Sequence, residues 1–530
     1  MGLLEYDFIL PKAPNEFERR NWIIMDTGSA RSRLAKLFGP KAADRIAKLN
    51  SYLDSARFMV LALTGLAILY LLAYLGHPVL PGNDLSAPIG WWGWWDQSQY
   101  LKCTAALAHG QLTQDTYWYP LGYPLLGALF YHWTPRHAFL IPNLAFALGS
   151  TVLFYKIARR HLSPLETVLL LFILFGFYPG MLQIALVEPW NTIPTLFLSY
   201  LIIFLVGFRQ PSAQRVLAAF ACVGLIFVCR PGDALCLAAI PAIAILGLPR
   251  WRTRTLVAAV GAGIVAAFVV AVLFTNHAVF GSWRTPYDRM QEEMGVASYS
   301  IAGKLFGLLI DGDTLFREPQ AALVRHFPWA ILVLPGTVYL LFRYRTQALG
   351  VILSILATYA LYFLYNDFWP STVYRYHTIH YLVWTVPPMA LATYLGIKEG
   401  WKHRFARWSY LSIPLFLFPV FFVFLREHTV GELPGTLPVV VGGQSMAGEP
   451  VDWIFFEGVY AGPDLVVTGR RLIRKGDFED SLRPDGTIVL LSTKLRYSAI
   501  RVDPGALSGA RRIKYGNLHW TVRWKRPQTN

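Results

Sequence analysis

The sequence predicts an all-α polytopic membrane protein with a small C-terminal β-rich outer domain. Three observations carry that expectation. Of 530 residues, 55% are hydrophobic and only 15% charged, whereas soluble globular chains carry about 25% charged residues. Apolar runs long enough to cross roughly 30 Å of hydrocarbon, which takes roughly 20 residues each, recur about eleven times along the chain. After Leu425 the pattern changes to short β-prone runs, WIFFEGVY, DLVVTG, TIVLLS, AIRV and LHWTVRW, punctuated by Gly, Pro and Asp-Gly.

The elements follow in order. Residues 1–56 are polar and basic, with Arg19, Arg20, Arg31, Arg33, Lys36, Lys41, Arg45 and Lys48, so no apolar stretch lies where a cleavable signal peptide would. The first span is therefore expected to be an uncleaved anchor. Apolar runs lie near 57–76, 137–157, 165–183, 190–208, 216–230, 233–248, 255–274, 327–343, 347–365, 381–398 and 410–425. The fifth and sixth also read as a helical hairpin turning at Arg230-Pro231-Gly232.

Alternate connections carry KIARRH, FRQPSAQR, PRWRTR, FRYR and KEGWKHRFAR. The positive-inside rule makes their side, and the N-terminal tail, cytoplasmic. The same asymmetry accounts for the net charge of +16, so membrane lipids are the expected partner and nucleic acid is not. Three of the four cysteines, Cys222, Cys229 and Cys236 but not Cys103, fall inside apolar runs, which suits buried small hydrophobes better than disulfides or a zinc site.

Chemistry-bearing residues collect on the opposite, outer side. They lie in loop 77–136, a turn at Glu188, the Arg230/Asp233 turn, loop 275–326 and loop 366–380. An odd span count also places 426–530 outside. The outer loops hold no N-x-Ser/Thr sequon, which favours a bacterial periplasm over a eukaryotic lumen.

The richest stretch is WWGWWDQSQY, where Asp96 stands just outside the first span, at the head of a short amphipathic helix. Helical spacing puts 96, 99, 100, 103 and 107 on one face, so Gln99 and Tyr100 flank the carboxylate. A general base must reach the hydroxyl it deprotonates, and a helix N-terminus favours the ionised carboxylate. The same placement also suits a plain N-cap aspartate. Trp91, Trp92, Trp94 and Trp95 fit the aromatic belt, as do most of the rings nearby; Tyr117 and Trp118, before a Pro-Leu-Gly-Tyr-Pro turn, are the better candidates to stack on a sugar.

Arg230 reads either as functional or as an arginine snorkelling at a helix end. In FWPSTVYRYHTIHYLVW, Arg375, His377 and His380 are packed among Trp369, Tyr374, Tyr376 and Tyr381. An arginine fork beside a departing phosphate stabilises the charge it gains, while the interfacial anchor remains the alternative. Arg284, Tyr287, Asp288, Glu292 and Glu293 read as a solvated helix face or as acceptor contacts. His109 and His132 have no metal-ligand spacing with any Cys or His. Walker and dinucleotide-binding motifs are absent.

The order Asp96, Tyr100, YWYPLGYPLLGALF, a span ending in basic residues, then LQIALVEPWNTIPTLFLSYLIIF with Glu188 at the outer turn, resembles the GT-C glycosyltransferases. Within them it is most similar to the branch of protein O-mannosyltransferases and lipid A aminoarabinose transferases. The resemblance covers roughly 57–400 and is strongest in 91–210. It implies that Asp96 and Glu188 are the catalytic acids, that Arg375, His377, His380 and Arg230 bind the donor phosphate, and that Gln99, Tyr100, Tyr117, Trp118 and Tyr374 bind substrate. The family pattern is broken at Gln97, which stands where a second acid would, and at Glu188, which is not Asp. No cofactor is therefore fixed; a divalent cation, Mg or Mn, is the one the pattern leaves room for.

The implied reaction is inverting sugar transfer from a polyprenyl-phosphate-linked donor to a glycan, lipid or protein acceptor at the outer face of a bacterial inner membrane. An outward site matches a lipid-linked donor, since nucleotide sugars are cytosolic. The alternatives are an O-antigen-ligase-like polymer transferase and a transporter or flippase of a lipid-linked glycan. A transporter predicts repeat symmetry and ionisable groups at mid-membrane, whereas here they crowd one rim.

Overall fold

The computed structural model describes residues 39–76, 95–176, 186–187, 189–289, 305–306, 309–310, 324, 327–364 and 381–404, with seven short strand segments between 439 and 525. The expected span at 410–425 lies outside the described residues.

Among the described residues the chain is a helical assembly. Helix α1 (Pro40–Leu53) precedes α2 (Ala56–Gly76), the first apolar run. Next come α3 (Trp95–Ala108), α4 (Gly122–Tyr131), α5 (Leu140–Ala158) and α6 (Pro164–Gly176), then α7 (Thr192–Val206) and α8 (Ala213–Cys229). Helix α8 ends at Arg230-Pro231-Gly232, as that sequence anticipates, and the next apolar run is divided between α9 (Pro231–Leu237) and α10 (Ala239–Ala244). The remaining helices are α11 (Trp251–Phe280), α12 (Val333–Tyr344), α13 (Thr346–Leu364) and α14 (Val386–Arg404).

Four of these helical stretches are long and apolar enough to cross a membrane: Ala56–Leu75, Pro135–Ala158, Trp251–Phe280 and Thr346–Leu364. Shorter apolar helices, Thr192–Val206, Ala213–Cys229 and Pro231–Gly247, accompany them. Up to Arg404 the described part is that of an all-α membrane protein. Exposed Val60, Leu61, Ile68, Leu69, Leu72 and Leu75 on α2 are the surface such a helix presents to hydrocarbon. At 30 residues α11 is about 45 Å long, well beyond the expected 255–274. It ends where Gly281 takes a left-handed φ of 63° that closes the helix.

The core sits around α7 and α8. Helix α7 packs between α5 and α8, and α8 lies along α11, while α13 backs α9 and α10 and α14 lies on α12. All four cysteines are free and buried, as small apolar groups.

One end of the bundle is tied by the basic connections. The side chains of Ser163 and Glu166 cap each other's backbone N–H at the start of α6, with Glu166 Oε2 accepting from Ser163 N at 2.8 Å. Glu166 also meets Lys398 of α14 at 2.9 Å and accepts from the Tyr394 hydroxyl at 2.8 Å. Arg160 donates to the Phe204 carbonyl at 2.7 Å and to that of Gly207 at 3.3 Å, at the carbonyl end of α7 where a cation is favoured. Arg159 pairs with Asp54 at 3.0 Å between α1 and α2.

Past Arg404 the description narrows to backbone strands. β1 (Val439–Val441), β5 (Ser498–Val502) and β4 (Thr487–Leu490) pair in that order, and β3 (Arg471–Arg474), β2 (Trp453–Gly458), β7 (Leu518–Lys525) and β6 (Arg511–Tyr515) pair in another.

Candidate functional site

The site begins with the first turn of α3, where four consecutive polar side chains are buried: Asp96 (8% exposed), Gln97 (3%), Ser98 (0%) and Gln99 (7%). The helix is thus buried on most of its circumference, not the surface amphipathic helix its sequence suggests. Asp96 lies inside the first turn, after Trp95, and so is not the capping residue. Burying polar groups is costly unless they are hydrogen-bonded, and two partners come from elsewhere in the chain. The Tyr119 hydroxyl donates to Asp96 Oδ1 at 2.7 Å, and Gln97 Nε2 donates to the Pro189 carbonyl at 3.3 Å.

Burial first, and then the Asp96 carboxylate, push the Tyr119 phenol well above its ordinary range, so it stays protonated as a donor. Gln97 Oε1 and Ser98 Oγ are buried with no hydrogen-bond partner among the described residues.

An aromatic wall fixes this turn. The Tyr100 ring lies 4.7 Å from Tyr119, 5.1 Å from Tyr123 and 6.4 Å from Phe139 by centroids. Tyr287 closes on Tyr119 at 4.9 Å. Gly122, in the Gly/Pro-rich segment, lets α4 start against the end of α8. A Cβ there would meet Cys229 Sγ at 2.6 Å and the Val228 carbonyl group at 2.9 Å.

Those α8 residues lead directly to Arg230, whose fork is fully engaged. Nε donates to Asp233 Oδ2 at 2.7 Å, one terminal nitrogen to Asn191 Oδ1 at 2.8 Å and the other to the Tyr362 hydroxyl at 2.7 Å. Tyr362 in turn donates to Asp233. The guanidinium also lies 5.1 Å from the Tyr381 ring. The snorkelling alternative is set aside by this geometry, because the side chain is turned inward and only 10% exposed.

Five segments that are distant in sequence therefore meet: the α3 turn with Tyr119, residues 189–191, the Arg230 turn, Tyr287, and Tyr362 with Tyr381. No protein-family model and no curated protein matches the chain.

Of the residues singled out from sequence, Asp96, Tyr100 and Arg230 belong to this junction, with Gln99 buried on the same α3 turn. Trp118 packs at the edge of the aromatic cluster. Tyr117 turns away, its hydroxyl donating to Asn276 of α11 at 2.6 Å, and so serves as a strut between loop and helix. Asp288 caps its own turn, accepting from the Thr285 N–H at 2.8 Å and the Thr285 hydroxyl at 2.9 Å. Glu188, Tyr374, Arg375, His377, His380, Glu292 and Glu293 lie outside the described residues.

Sequence reasoning missed Tyr119, Asn191 and Tyr362 as members of the site. Asp233 was readable, since an acid three residues after an arginine at a helix start is placed to meet it. Among the described residues no group of three or more His, Cys, Asp or Glu could hold a metal ion. Gln97, where a second acid would stand, is committed through its amide nitrogen to Pro189.

Proposed function

We propose that this protein is a GT-C-type membrane glycosyltransferase, multi-pass in a bacterial inner membrane, with a cytoplasmic N-terminus and a β-rich outer domain over 426–530. It moves a sugar from a polyprenyl-phosphate-linked donor to an acceptor hydroxyl at the outer face. The observation that carries this reading is the buried Asp96 carboxylate, fixed by a protonated tyrosine and flanked by buried polar oxygens of Gln97 and Ser98 that hydroxyl groups of a sugar would satisfy. A carboxylate so placed is suited to proton abstraction.

In the reaction, Asp96 takes the proton of the acceptor hydroxyl. That oxygen forms a bond to the anomeric carbon from the side opposite the phosphate, the anomeric carbon–oxygen bond breaks, and polyprenyl phosphate leaves with the electron pair. Arg375, with His377 or His380, holds the phosphate. Arg230, already tied to Asp233, acts as a fixed cation behind it. Glu188 orients the acceptor or Asp96, and Gln99, Tyr100, Trp118 and Tyr374 line the sugar. Strand segments between 439 and 525 and the switch in composition support the outer domain, and the eleven apolar runs support the span count.

Purified protein incubated with undecaprenyl-phosphate-linked mannose, glucose or aminoarabinose tests the donor class, the readout being release of undecaprenyl phosphate. Mass analysis of the glycans and lipids that change on deletion identifies the acceptor. Removing one phosphate-stabilising group costs about 10²–10³ in kcat, which is the loss expected for Arg375→Ala. An unchanged rate contradicts that role.

A further inference from the structure

Helix α1 carries a second surface, independent of the sugar-transfer reading. Its inner side is formed by buried Ala43 and Leu53 with half-buried Ile46 and Asn50, at the three-and-four spacing of one helix face. That side is fastened to the ends of other helices. Asn50 Oδ1 accepts from the Leu165 N–H at the start of α6 at 2.9 Å, and the Leu53 carbonyl accepts from the Tyr155 hydroxyl near the end of α5 at 3.1 Å. Asp54, the next residue, pairs with Arg159. The apolar helix α2 starts at Ala56. Helix α1 is therefore held at the level where spans begin and end, which in a bilayer is the headgroup layer.

The outer side carries Lys41, Arg45 and Lys48 at spacings of four and three, all exposed. Beside them Leu49 (42%) and Tyr52 (48%) are exposed too. The helix has one acid, Asp44, which is already engaged. Cations with an aliphatic and an aromatic residue on one exposed side, on a helix fixed beside the start of a span, suit contact with anionic headgroups. The Tyr52 ring also lies edge-on to Phe58 of α2, 5.7 Å between centroids, which places it where the first span begins.

We infer that α1 docks on acidic phospholipid headgroups of the leaflet at which α2 begins, with Lys41, Arg45 and Lys48 on the phosphates and Leu49 and Tyr52 lodged at the acyl boundary. Each such cation near an anionic surface contributes roughly fivefold in affinity.

Full-length protein in nanodiscs of phosphatidylcholine, with and without phosphatidylglycerol, tests this by amide hydrogen exchange over 40–53. Phosphatidylglycerol should slow exchange severalfold, and about 0.5 M NaCl, where screening is shorter than about 8 Å, should reverse the effect. The variant Lys41→Gln/Arg45→Gln/Lys48→Gln should lose the phosphatidylglycerol effect while α5 and α7 stay protected. Where that variant fails to fold, single Lys48→Gln should reduce the effect roughly fivefold. Equal exchange in neutral and acidic discs, or an undiminished phosphatidylglycerol effect in the folded variants, overturns the proposal.

Discussion

At the scale of single residues, the site depends on which groups hold Asp96 and Arg230. Tyr119 acts through Asp96 as a positioning residue. A hydrogen bond to a charged group contributes about 1.5–3 kcal/mol, so Tyr119→Phe should lower kcat about 10- to 100-fold on the proposed reaction while KM changes little. A rise in KM at constant kcat would instead assign Tyr119 to substrate binding. Asp233 is 2% exposed and is joined to Arg230. Breaking one partner of such a pair costs about 3–5 kcal/mol, so Asp233→Asn should lower the unfolding temperature in detergent, and adding Arg230→Gln should restore part of it.

Asp54, half exposed, is a milder case. The hydrogen bond from Arg159 holds its carboxyl below the ordinary value. A carboxyl depressed on folding contributes stability above its unfolded pKa of about 3.9 and loses it as pH falls through the lower folded value. Exposed pairs are worth under about 1 kcal/mol. Asp54→Asn should therefore destabilise slightly at neutral pH, and the difference from the parent protein should shrink as pH falls through the carboxyl's lowered folded-state range.

At the scale of elements, Gly122 sets the distance between α4 and α8. Gly122→Ala must displace the Val228 backbone or the Cys229 side chain, and overpacking costs about 1–3 kcal/mol. Because Arg230 follows immediately, activity should fall along with melting temperature, whereas Gly263→Ala, facing open space on α11, should change neither. The apolar runs made the four membrane-length helical stretches legible, since about twenty residues of uniform character read the same in sequence and in space. The extension of α11 was not legible, because Arg252, Arg254, Asn276 and His277 end the apolar window while backbone bonding continues. Nor was the partner of Asp96: three aromatic residues in a row at 117–119 point in different directions, and only the packing of the loop on α3 shows that Tyr119 faces the carboxylate and Tyr117 faces Asn276.

At the scale of the whole molecule, alternation of basic connections leads to the expectation that one set of chemistry-bearing segments shares a side. The fold brings together parts of four of the five segments expected on that side, and of the fifth, 366–380, only the flanking residues Tyr362 and Tyr381 are described. The proposed orientation is open to impermeant thiol labelling, because the four native cysteines are buried and give little background. Lys48→Cys should react only in inside-out vesicles and Asp115→Cys only in right-side-out ones; labelling from the same side would contradict the proposed topology. The central claim is that Asp96 is the base of a sugar transfer. Its most direct measurement is the rate of undecaprenyl phosphate release by folded Asp96→Asn protein supplied with a donor the parent protein uses: the proposed mechanism predicts loss of transfer with the protein still folded, and transfer at the parent rate would contradict it.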